Sequence, residues 1–238
     1  LAFVKLSSDD SCELVDSKLY KEIIGSLIYL MSCTRPDITY VVTKLSQFMS
    51  KPTKAYMTAA KNVLKYLKGT RDYCLKFTKS VNGLNLIGYC DSDWASSDDR
   101  KSISGYCFYL NENGPLISYR SKKQNIVALS SCEAEYVAMT VSIQEAKFLS
   151  QLLADLTCSD KLPVTLHVDN QGAMNLAKNP VHHQRSKHID VKYHFIRFEI
   201  KNEFIVLQYM PSDGNVADIF TKPVSRVSFN KFTSICGI

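Results

Sequence analysis

Four acidic residues lie where the sequence predicts the ends of strands or the first turns of helices. Asp91 and Asp169 each end a strand-like apolar run, whereas Glu135 and Asp218 lie near predicted helix starts. An acid at a helix start gains ~0.3–1 kcal/mol from the helix dipole, so each residue alone has a structural explanation. Four acids that converge from neighbouring strands would repel one another unless a cation neutralised them. The set therefore predicts a metal site.

The chemistry of these side chains narrows the choice of metal. All four offer hard oxygen ligands, with no Cys or His among them, and this set favours Mg²⁺ or Mn²⁺ over Zn²⁺. Two such ions held close together suit in-line attack on a phosphodiester. The acids therefore indicate a phosphodiester-cleaving site.

The elements that would position these acids have an α/β order. Helical spacing of apolar residues is present at 19–31, 38–49 and 55–68, before a polar turn cluster at 79–84. The period then changes, and the predicted strands are 84–91, 105–110, 115–119, 164–168 and 204–210. Helices are predicted at 131–156, 170–178, 188–201 and 216–222. Ser130 and Glu133 form a capping box that should begin the longest helix.

The formal net charge of +6 lies in the first third of the chain. Residues 1–80 contain 13 Lys and Arg against 7 Asp and Glu, whereas the two types balance over 81–238. On the predicted helix 55–68, one face carries Lys61, Lys65 and Lys68, and the buried stripe should comprise Ala60, Val63, Leu64 and Leu67. The basic face is either solvated or follows phosphates, because clustered like charge repels itself unless a polyanion pairs with it.

Composition excludes other protein classes. With 45% hydrophobic residues, 13 Tyr and 11 Phe, the chain is expected to fold rather than to be disordered. The longest apolar run, 23–33, falls short of the ~20 residues that span a bilayer, so no membrane association is expected. The chain begins at Leu1 without a signal-peptide pattern, and we expect it to be a piece of a longer protein. Eight Cys without a C-x-x-C pair are expected to be reduced thiols in the cytosol or nucleus.

Seven sequence blocks resemble one family, the Pol polyproteins of Ty1/copia-type retrotransposons and their plant members in particular. The blocks occur in the family's order across nearly the whole chain. They are TRPDI at 34–38, LIGYCDSDWA at 86–95, DRKS at 99–102, ALSSCEAEY at 128–136, VDNQ at 168–171, KHIDVKYH at 187–194 and ADIFTKP at 217–223.

The resemblance implies a fold and a domain organisation. It identifies residues 1–80 as a mainly helical, basic connection segment that follows reverse transcriptase in the polyprotein. Residues 84–223 are expected to form an α/β domain of the ribonuclease H type, with a mixed five-stranded sheet flanked by helices. Residues 224–238 would be the C-terminal tail of the polyprotein.

The resemblance also implies a reaction, the hydrolysis of the RNA strand of RNA–DNA hybrids with two Mg²⁺ ions, for which Mn²⁺ can substitute. The family's catalytic and metal-binding acids fall on Asp91, Glu135, Asp169 and Asp218. Asp91 would contact both ions. Asp218 would join it on the ion that activates water, and Glu135 and Asp169 would hold the ion that stabilises the leaving oxygen.

Further residues are candidates for supporting roles. Asp93 is a candidate helper because it would share a strand face with Asp91 if the strand continued. Cellular relatives have a His in the loop before the last acid, whereas here the loop 211–215 has none, and Asp213 is a candidate to serve in part. Contacts to the hybrid are expected from Lys61, Lys65, Lys68, Lys122, Lys123, Gln124, Asn170 and Gln171.

The expected partners are an RNA–DNA hybrid and the reverse transcriptase part of the same polyprotein, in the cytoplasm within a virus-like particle, or in the nucleus. One alternative is a catalytically inert, domesticated fragment that only binds nucleic acid or serves as a scaffold. Another is a different nuclease or a strand-transferase of the same fold, such as a transposase or integrase. The order Asp, Glu, Asp, Asp disfavours that second alternative, because those enzymes have two Asp followed by a distant Glu.

Overall fold

The computed structural model describes residues 13–77, 83–111, 114–178 and 190–236, with the side chains of 190, 191 and 193 excepted. Most of the predicted turn cluster at 79–84 and the start of the predicted helix 188–201 lie outside these residues. Within the described ranges, no helix combines the length and the apolar content that a membrane crossing requires.

A mixed five-stranded sheet forms the centre of the larger part of the chain, and this confirms the fold predicted from the sequence. Its strand order is β3-β2-β1-β4-β5. β1 is antiparallel to β2 and β2 to β3, whereas β1 with β4 and β4 with β5 are parallel. The strands are β1 (Leu86–Asp93), β2 (Ile103–Leu110), β3 (Leu116–Lys123), β4 (Val164–Val168) and β5 (Ile205–Tyr209).

One face of the sheet is covered by the helices α4 (Ser131–Thr157), α5 (Gln171–Lys178) and α6 (Asp190–Lys201). The start of α4 is fixed as predicted, because Ser130 Oγ accepts the Glu133 N–H and the Glu133 carboxylate accepts the Leu129 N–H. The inward side chains of α4 then pack on apolar residues of β1, β2 and β4 in a core that includes Leu86, Phe108, Tyr136, Met139, Ile143 and Leu166.

The opposite face is covered by the end of the chain. A 3₁₀ turn at Val216–Phe220 and the helix α7 (Arg226–Ile235) bury Phe220 and Phe232 against Cys107 and Tyr109 of β2. The helix predicted at 216–222 is therefore shorter, and it is a 3₁₀ turn rather than an α-helix. The Thr221 N–H bonds to the Asp218 carbonyl three residues earlier, and Pro223 prevents continuation as an α-helix. Sequence reasoning did not predict α7.

The first part of the chain has a core of its own, made by three helices. They are α1 (Ser17–Cys33), α2 (Thr39–Ser46) and α3 (Lys54–Gly69). Tyr20, Leu27 and Leu45 are fully buried where the helices meet. The stripe predicted on α3 is correct for Ala60 and Val63, but Leu64 is 41% exposed, and Tyr56 and Met57 are buried in the stripe instead.

A buried ion pair joins these helices. Its two members, Arg35 and Asp37, belong to the first of the sequence blocks, TRPDI at 34–38. Arg35 donates to both carboxylate oxygens of Asp37, and it also donates to the carbonyl and the hydroxyl of Thr70 after α3. The Tyr66 hydroxyl of α3 donates to the same carboxylate at 2.7 Å. Tyr66 also packs edge-on against Phe229 of α7. The Arg35–Asp37 ion pair therefore lies where the helical segment, residues 17–69, contacts the rest of the chain.

Gly105 of β2 is a point where the fold tolerates no side chain. Gly105 pairs with Asp91 in the sheet, and a Cβ atom there would lie 2.7 Å from Thr221 Cγ2 and 2.8 Å from Phe220 Cβ. These atoms belong to the 3₁₀ turn and the residue that follows it, so they cannot move without shifting the turn. The absence of a side chain thus lets the turn approach β1.

We expect Gly105→Ala to lower the free energy of unfolding by roughly 1–3 kcal/mol, because an extra methyl group in a packed interior forces its neighbours apart. Urea unfolding followed by circular dichroism measures this change. The matched control is Gly25→Ala in α1, where a Cβ atom meets nothing within 4 Å. Equal effects of the two substitutions would contradict this account of the β2 contact.

Candidate active site

Three of the four predicted acids converge at one place. Asp91, Glu135 and Asp169 each offer a carboxylate oxygen, and these three oxygens lie within 4.8 Å of one another. They come from β1, from the first turns of α4 and from the end of β4. Because β1 and β4 are adjacent parallel strands, their carboxyl ends meet at one edge of the sheet, and α4 begins beside that edge. We call Asp91, Glu135 and Asp169 the acid cluster.

β1 continues past the point that the sequence predicted. Ser92 and Asp93 pair with Ser104 and Ile103 of β2, so the strand ends at Asp93 and Asp91 lies inside it. Asp93 consequently shares a face with Asp91. Burial, and then the charge of Asp93, raise the pKa of Tyr40 in α2 to about 12.

Backbone and side-chain donors fix the three carboxylates. The Ser92 N–H donates to Glu135 Oε1 at 3.0 Å, and the Thr221 hydroxyl donates to Asp91 Oδ2. The Ser212 hydroxyl donates to Asp169 Oδ2 at 2.7 Å. Ser212 belongs to the loop that lacks the His, and Asp213 beside it is exposed. The loop therefore reaches the acid cluster through a serine.

Burial and mutual repulsion act together on these acids. Burial raises the pKa of the Asp91 carboxyl, and the charge of Lys222 opposes that rise. For Glu135, burial, Asp91 and Asp169 all raise the pKa well above its ordinary value. Close carboxylates that lack a cation favour the protonated form because the charged forms repel one another. The acid cluster is therefore a place where added positive charge would be strongly favoured.

Asp218 stands next to the acid cluster and is linked to it by a lysine. Lys222 Nζ lies 3.0 Å from Asp218 Oδ1 and 3.6 Å from Asp91 Oδ2. Burial, followed by the charge of Asp91, raises the pKa of Asp218 to about 7 despite this lysine. Burial alone would lower the pKa of Lys222, but Asp91 and Asp218 outweigh it and raise that pKa. The fourth acid thus shares its counter-charge with the first.

The residues present fit a divalent metal ion. The donors are hard carboxylate oxygens, as Mg²⁺ and Mn²⁺ require. Glu135 Oε2 is buried and has no hydrogen-bond partner, although buried polar atoms are rarely left unpaired. An ion held by Asp91, Glu135 and Asp169 would supply that missing partner and relieve the repulsion.

The predicted nucleic-acid contacts differ in how freely they face solvent. Lys122 and Gln171 are exposed, as are the three basic residues of α3, namely Lys61, Lys65 and Lys68. Lys123 is half-buried, and its ammonium lies 2.9 Å from Asp99 Oδ1 and 3.2 Å from Gln47 Oε1.

Two of the predicted contacts already have structural roles. Asn170 accepts the Ala173 N–H at the start of α5. Gln124 is only 5% exposed, and its amide nitrogen donates to Ser104 Oγ and the Ala134 carbonyl. These internal bonds hold the Gln124 amide nitrogen, and the contact to the hybrid predicted for Gln124 stays a prediction.

Sequence reasoning missed Lys222, Thr221, Ser212 and Ser92. A signal for Lys222 was available, since it lies four residues after Asp218, a spacing that brings side chains together in a helical turn. No comparable signal marks Thr221, Ser212 or the Ser92 N–H. Their roles depend on how a turn, a loop and a strand meet in three dimensions.

A cavity of about 610 Å³ opens beside Lys222. One wall comes from the helical segment, with Tyr40, Tyr66 and Tyr73, and the other from Lys222 and the region of α7. The helical segment therefore forms part of the surroundings of the site. The Lys222 side chain, which is 34% exposed, lines this cavity.

The chain is similar to curated Pol polyproteins over nearly its full length. It is 41% identical over 235 residues to the Pol polyprotein of transposon RE1 from Arabidopsis thaliana, covering 98% of this chain and 16% of that protein. It is also 41% identical over 220 residues to the Pol polyprotein of transposon TNT 1-94 from Nicotiana tabacum, covering 92% of this chain and 16% of that protein. The chain thus spans about a sixth of the length of these relatives. No family model matches it.

A solved structure of a similar fold is the foamy viral protease-reverse transcriptase in complex with an RNA/DNA hybrid. The similarity has a TM-score of 0.56 at 14% sequence identity, and it covers 92% of this chain and 27% of that one. It extends over the helical segment as well as the sheet domain. At this identity the similarity establishes the fold alone.

We expect the Tm of chelator-treated protein to fall, relative to that of an Asp218→Asn variant, as the pH rises. The folded pKa of Asp218 is raised from 3.8 to about 7. The folded state therefore holds this proton more tightly than the unfolded state does. Its contribution to stability is complete below pH 3.8 and is lost as the pH rises to about 7.

Thermal unfolding at a series of pH values between these limits measures the difference. The matched control is Asp155→Asn, which changes an exposed carboxylate of α4 that accepts a hydrogen bond from the Gln151 amide. Its profile should run parallel to the original one. A parallel profile for Asp218→Asn as well would refute the shifted pKa.

Proposed function

The chain belongs to the Pol polyproteins of Ty1/copia-type retrotransposons, and on this premise we propose that it is a ribonuclease H that hydrolyses the RNA strand of RNA–DNA hybrids during reverse transcription. The convergence of Asp91, Glu135 and Asp169 carries the proposal. The related solved structure of the same fold is in complex with an RNA/DNA hybrid, which supports this substrate.

Two divalent ions are part of the proposed mechanism. Asp91, Glu135 and Asp169 would hold one, and Asp91 with Asp218 the other. Bound Mg²⁺ would lower the pKa of a water molecule and stabilise the negative charge that develops on the phosphate. Ser92, Thr221 and Ser212 fix the orientation of the carboxylates before substrate arrives. Such preorganisation reduces the reorganisation needed during the reaction.

We assign binding of the hybrid to phosphate contacts outside the acid cluster. A net-neutral nuclease part that contains buried acids repels a polyanion, so cations elsewhere are needed. Lys61, Lys65 and Lys68 are exposed on one helix and lack a neighbouring acid on that face. Selectivity for RNA would come from contacts to 2′-hydroxyl groups in the minor groove. The reverse transcriptase part of the polyprotein is the proposed neighbour, within a virus-like particle.

The alternative of an inert nucleic-acid-binding fragment requires a damaged site. All four acids are present, and three of them lie within reach of one ion. These two observations favour an active enzyme over an inert fragment. A DNA-cleaving enzyme of the same fold is the other alternative, and cleavage assays distinguish the three.

We expect the protein to cleave a labelled RNA–DNA hybrid with Mg²⁺ and to leave double-stranded DNA intact. Asp91→Asn and Glu135→Gln should each reduce kcat on the order of 10³-fold or more, because each removes a metal ligand needed in the transition state. Gel analysis of end-labelled RNA measures the rate.

The control for this assay is Asp155→Asn, which should retain the original rate. Absence of hybrid cleavage by the unaltered protein would favour the inert fragment. Cleavage of double-stranded DNA in place of the hybrid would favour the other nuclease class.

Replacing Lys61, Lys65 and Lys68 together by Ala should weaken hybrid binding and its dependence on salt. Each phosphate contact contributes roughly 0.9 to the slope of log K against log salt concentration on B-DNA, so we expect the slope to decrease by about 2 to 3. Fluorescence anisotropy with a labelled hybrid over a series of KCl concentrations gives the slope.

The comparison variant replaces Lys161, Lys178 and Lys201, three exposed lysines outside α3, by Ala. It removes the same net charge from other surfaces. An unchanged slope for the α3 variant, or an equal decrease in both variants, would remove the specific role of α3.

A further inference from the structure

Lys222 is a charged residue inside the proposed site that the mechanism above does not use. It follows the 3₁₀ turn that carries Asp218, and its N–H donates to the Asp218 carbonyl. This local geometry brings Lys222 Nζ to 3.0 Å from Asp218 Oδ1, while the same nitrogen is 3.6 Å from Asp91 Oδ2. A single ammonium group therefore contacts an acid of the cluster and the acid outside it.

The position of this ammonium matters because both carboxylates are buried. Asp91 is 1% exposed and Asp218 is 8% exposed. Both carboxylates lie within 4 Å of one ammonium group, and buried carboxylates this near to a shared cation also repel each other in a medium of reduced dielectric constant. Removal of one partner from a buried charge network leaves an uncompensated charge, which is costly. The folded chain therefore needs a cation near Asp91 and Asp218, and Lys222 provides it.

Lys222 is also free to leave this position. Its side chain is 34% exposed and lines the 610 Å³ cavity between the helical segment and α7. A lysine side chain has four rotatable carbon–carbon bonds and a compact charge, so it can turn into such a space without repacking the core. Thr221 and Asn215 hold the turn itself, through Asp91 and the Cys90 carbonyl respectively. The turn can therefore stay in place while the ammonium moves.

We propose that Lys222 is a resident counter-ion that occupies the place between Asp91 and Asp218, and that a divalent ion binds there only by displacing it. This inference rests on the proposed function, since it concerns the second ion of that mechanism. The ammonium keeps Asp91 and Asp218 together when no ion is bound between them. It also weakens that ion's binding, because the ion must compete with an existing positive charge.

Lys222 makes the two ion positions differ in affinity, a difference that their acids alone do not predict. Among the described residues, Lys222 forms ion pairs with Asp91 and Asp218, whereas Asp169 acts on it only through its charge. The unpartnered Glu135 Oε2 belongs to the acid cluster. Of the ligands of an ion held by Asp91, Glu135 and Asp169, only Asp91 forms an ion pair with Lys222, so this ion has less need to displace the lysine. The first ion should therefore bind at low concentration, and the second only at a higher one.

Isothermal titration of the full chain with Mn²⁺ tests the difference, with no activity measurement involved. We expect the unaltered protein to bind one ion tightly and a second weakly. Lys222→Gln should tighten the second site roughly tenfold or more, the factor that ~1.4 kcal/mol of relieved repulsion would give. The first site should change little. Lys222→Arg retains the charge and should retain the weak second site.

The matched control is Lys54→Gln. Lys54 also pairs with a carboxylate, Glu13, at 3.1 Å, but both side chains are more than 70% exposed. This substitution should leave both Mn²⁺ sites unchanged.

A measurement on the unaltered protein supports the inference even if the Lys222→Gln chain fails to fold. Acetic anhydride labels free amines, and mass spectrometry reports the labelled lysines. Labelling of Lys222 should increase severalfold over the Mn²⁺ range that fills the second site, because displacement frees the amine from Asp91 and Asp218. Labelling of Lys54 should stay constant over the same range.

The outcomes separate this inference from the proposed function. If the unaltered protein binds no Mn²⁺, the proposed function fails and the inference fails with it. If Mn²⁺ binds but neither the second affinity nor the labelling depends on Lys222, only the inference is overturned. A raised KM for hybrid in Lys222→Gln with unchanged Mn²⁺ affinities would also overturn it, and would make Lys222 a phosphate contact instead.

Discussion

Repulsion among buried carboxylates is the constraint on which the rest of this structure depends. Asp91, Glu135 and Asp169 place three oxygens within 4.8 Å of one another, and Asp218 stands beside them. Such a group is unfavourable in a fold unless backbone donors, hydroxyl groups and cations compensate it. Ser92, Thr221, Ser212 and Lys222 provide that compensation in part, and what remains is a strong preference for added positive charge. A group that is costly for folding would in this way gain from a bound cation.

The fold brings the compensating groups from distant parts of the chain to the same edge of the sheet. β1 and β4 are parallel neighbours, and α4 begins beside their carboxyl ends. The 3₁₀ turn approaches from the other face of the sheet, where Gly105 leaves space for it. The helical segment at 17–69 closes that side through Tyr40 and Tyr66, both of which line the cavity next to Lys222. Its helices therefore belong to the surroundings of the site as well as to the basic surface.

The local sequence pattern was sufficient to predict the helices and strands but not the contacts between them. Apolar periodicity predicted the strands and the long helix, and the capping box gave the start of α4 at Ser131. Periodicity failed where tertiary contacts decide, as at Leu64, which is exposed although it continues the α3 stripe, and at 216–222, where Pro223 and the contact with Gly105 favour a tight turn. The strand-end acids were visible because acids are unusual next to buried strands. The residues that orient them are ordinary hydroxyl and backbone groups, and only the assembled fold distinguishes these from the many others in the chain.

The close approach at Gly105 has a consequence for how genomic copies of such an element lose the geometry of the acids. Drift in a copy that is no longer selected changes glycine codons as readily as aspartate codons. A side chain at Gly105 would push the turn that holds Asp218 and Thr221 away from β1 while every acid remained in the sequence. The presence of all four acids therefore does not show that a copy is intact. The presence of Gly105 on β2 is a stricter test, because without it the turn that carries Asp218 cannot lie close to Asp91.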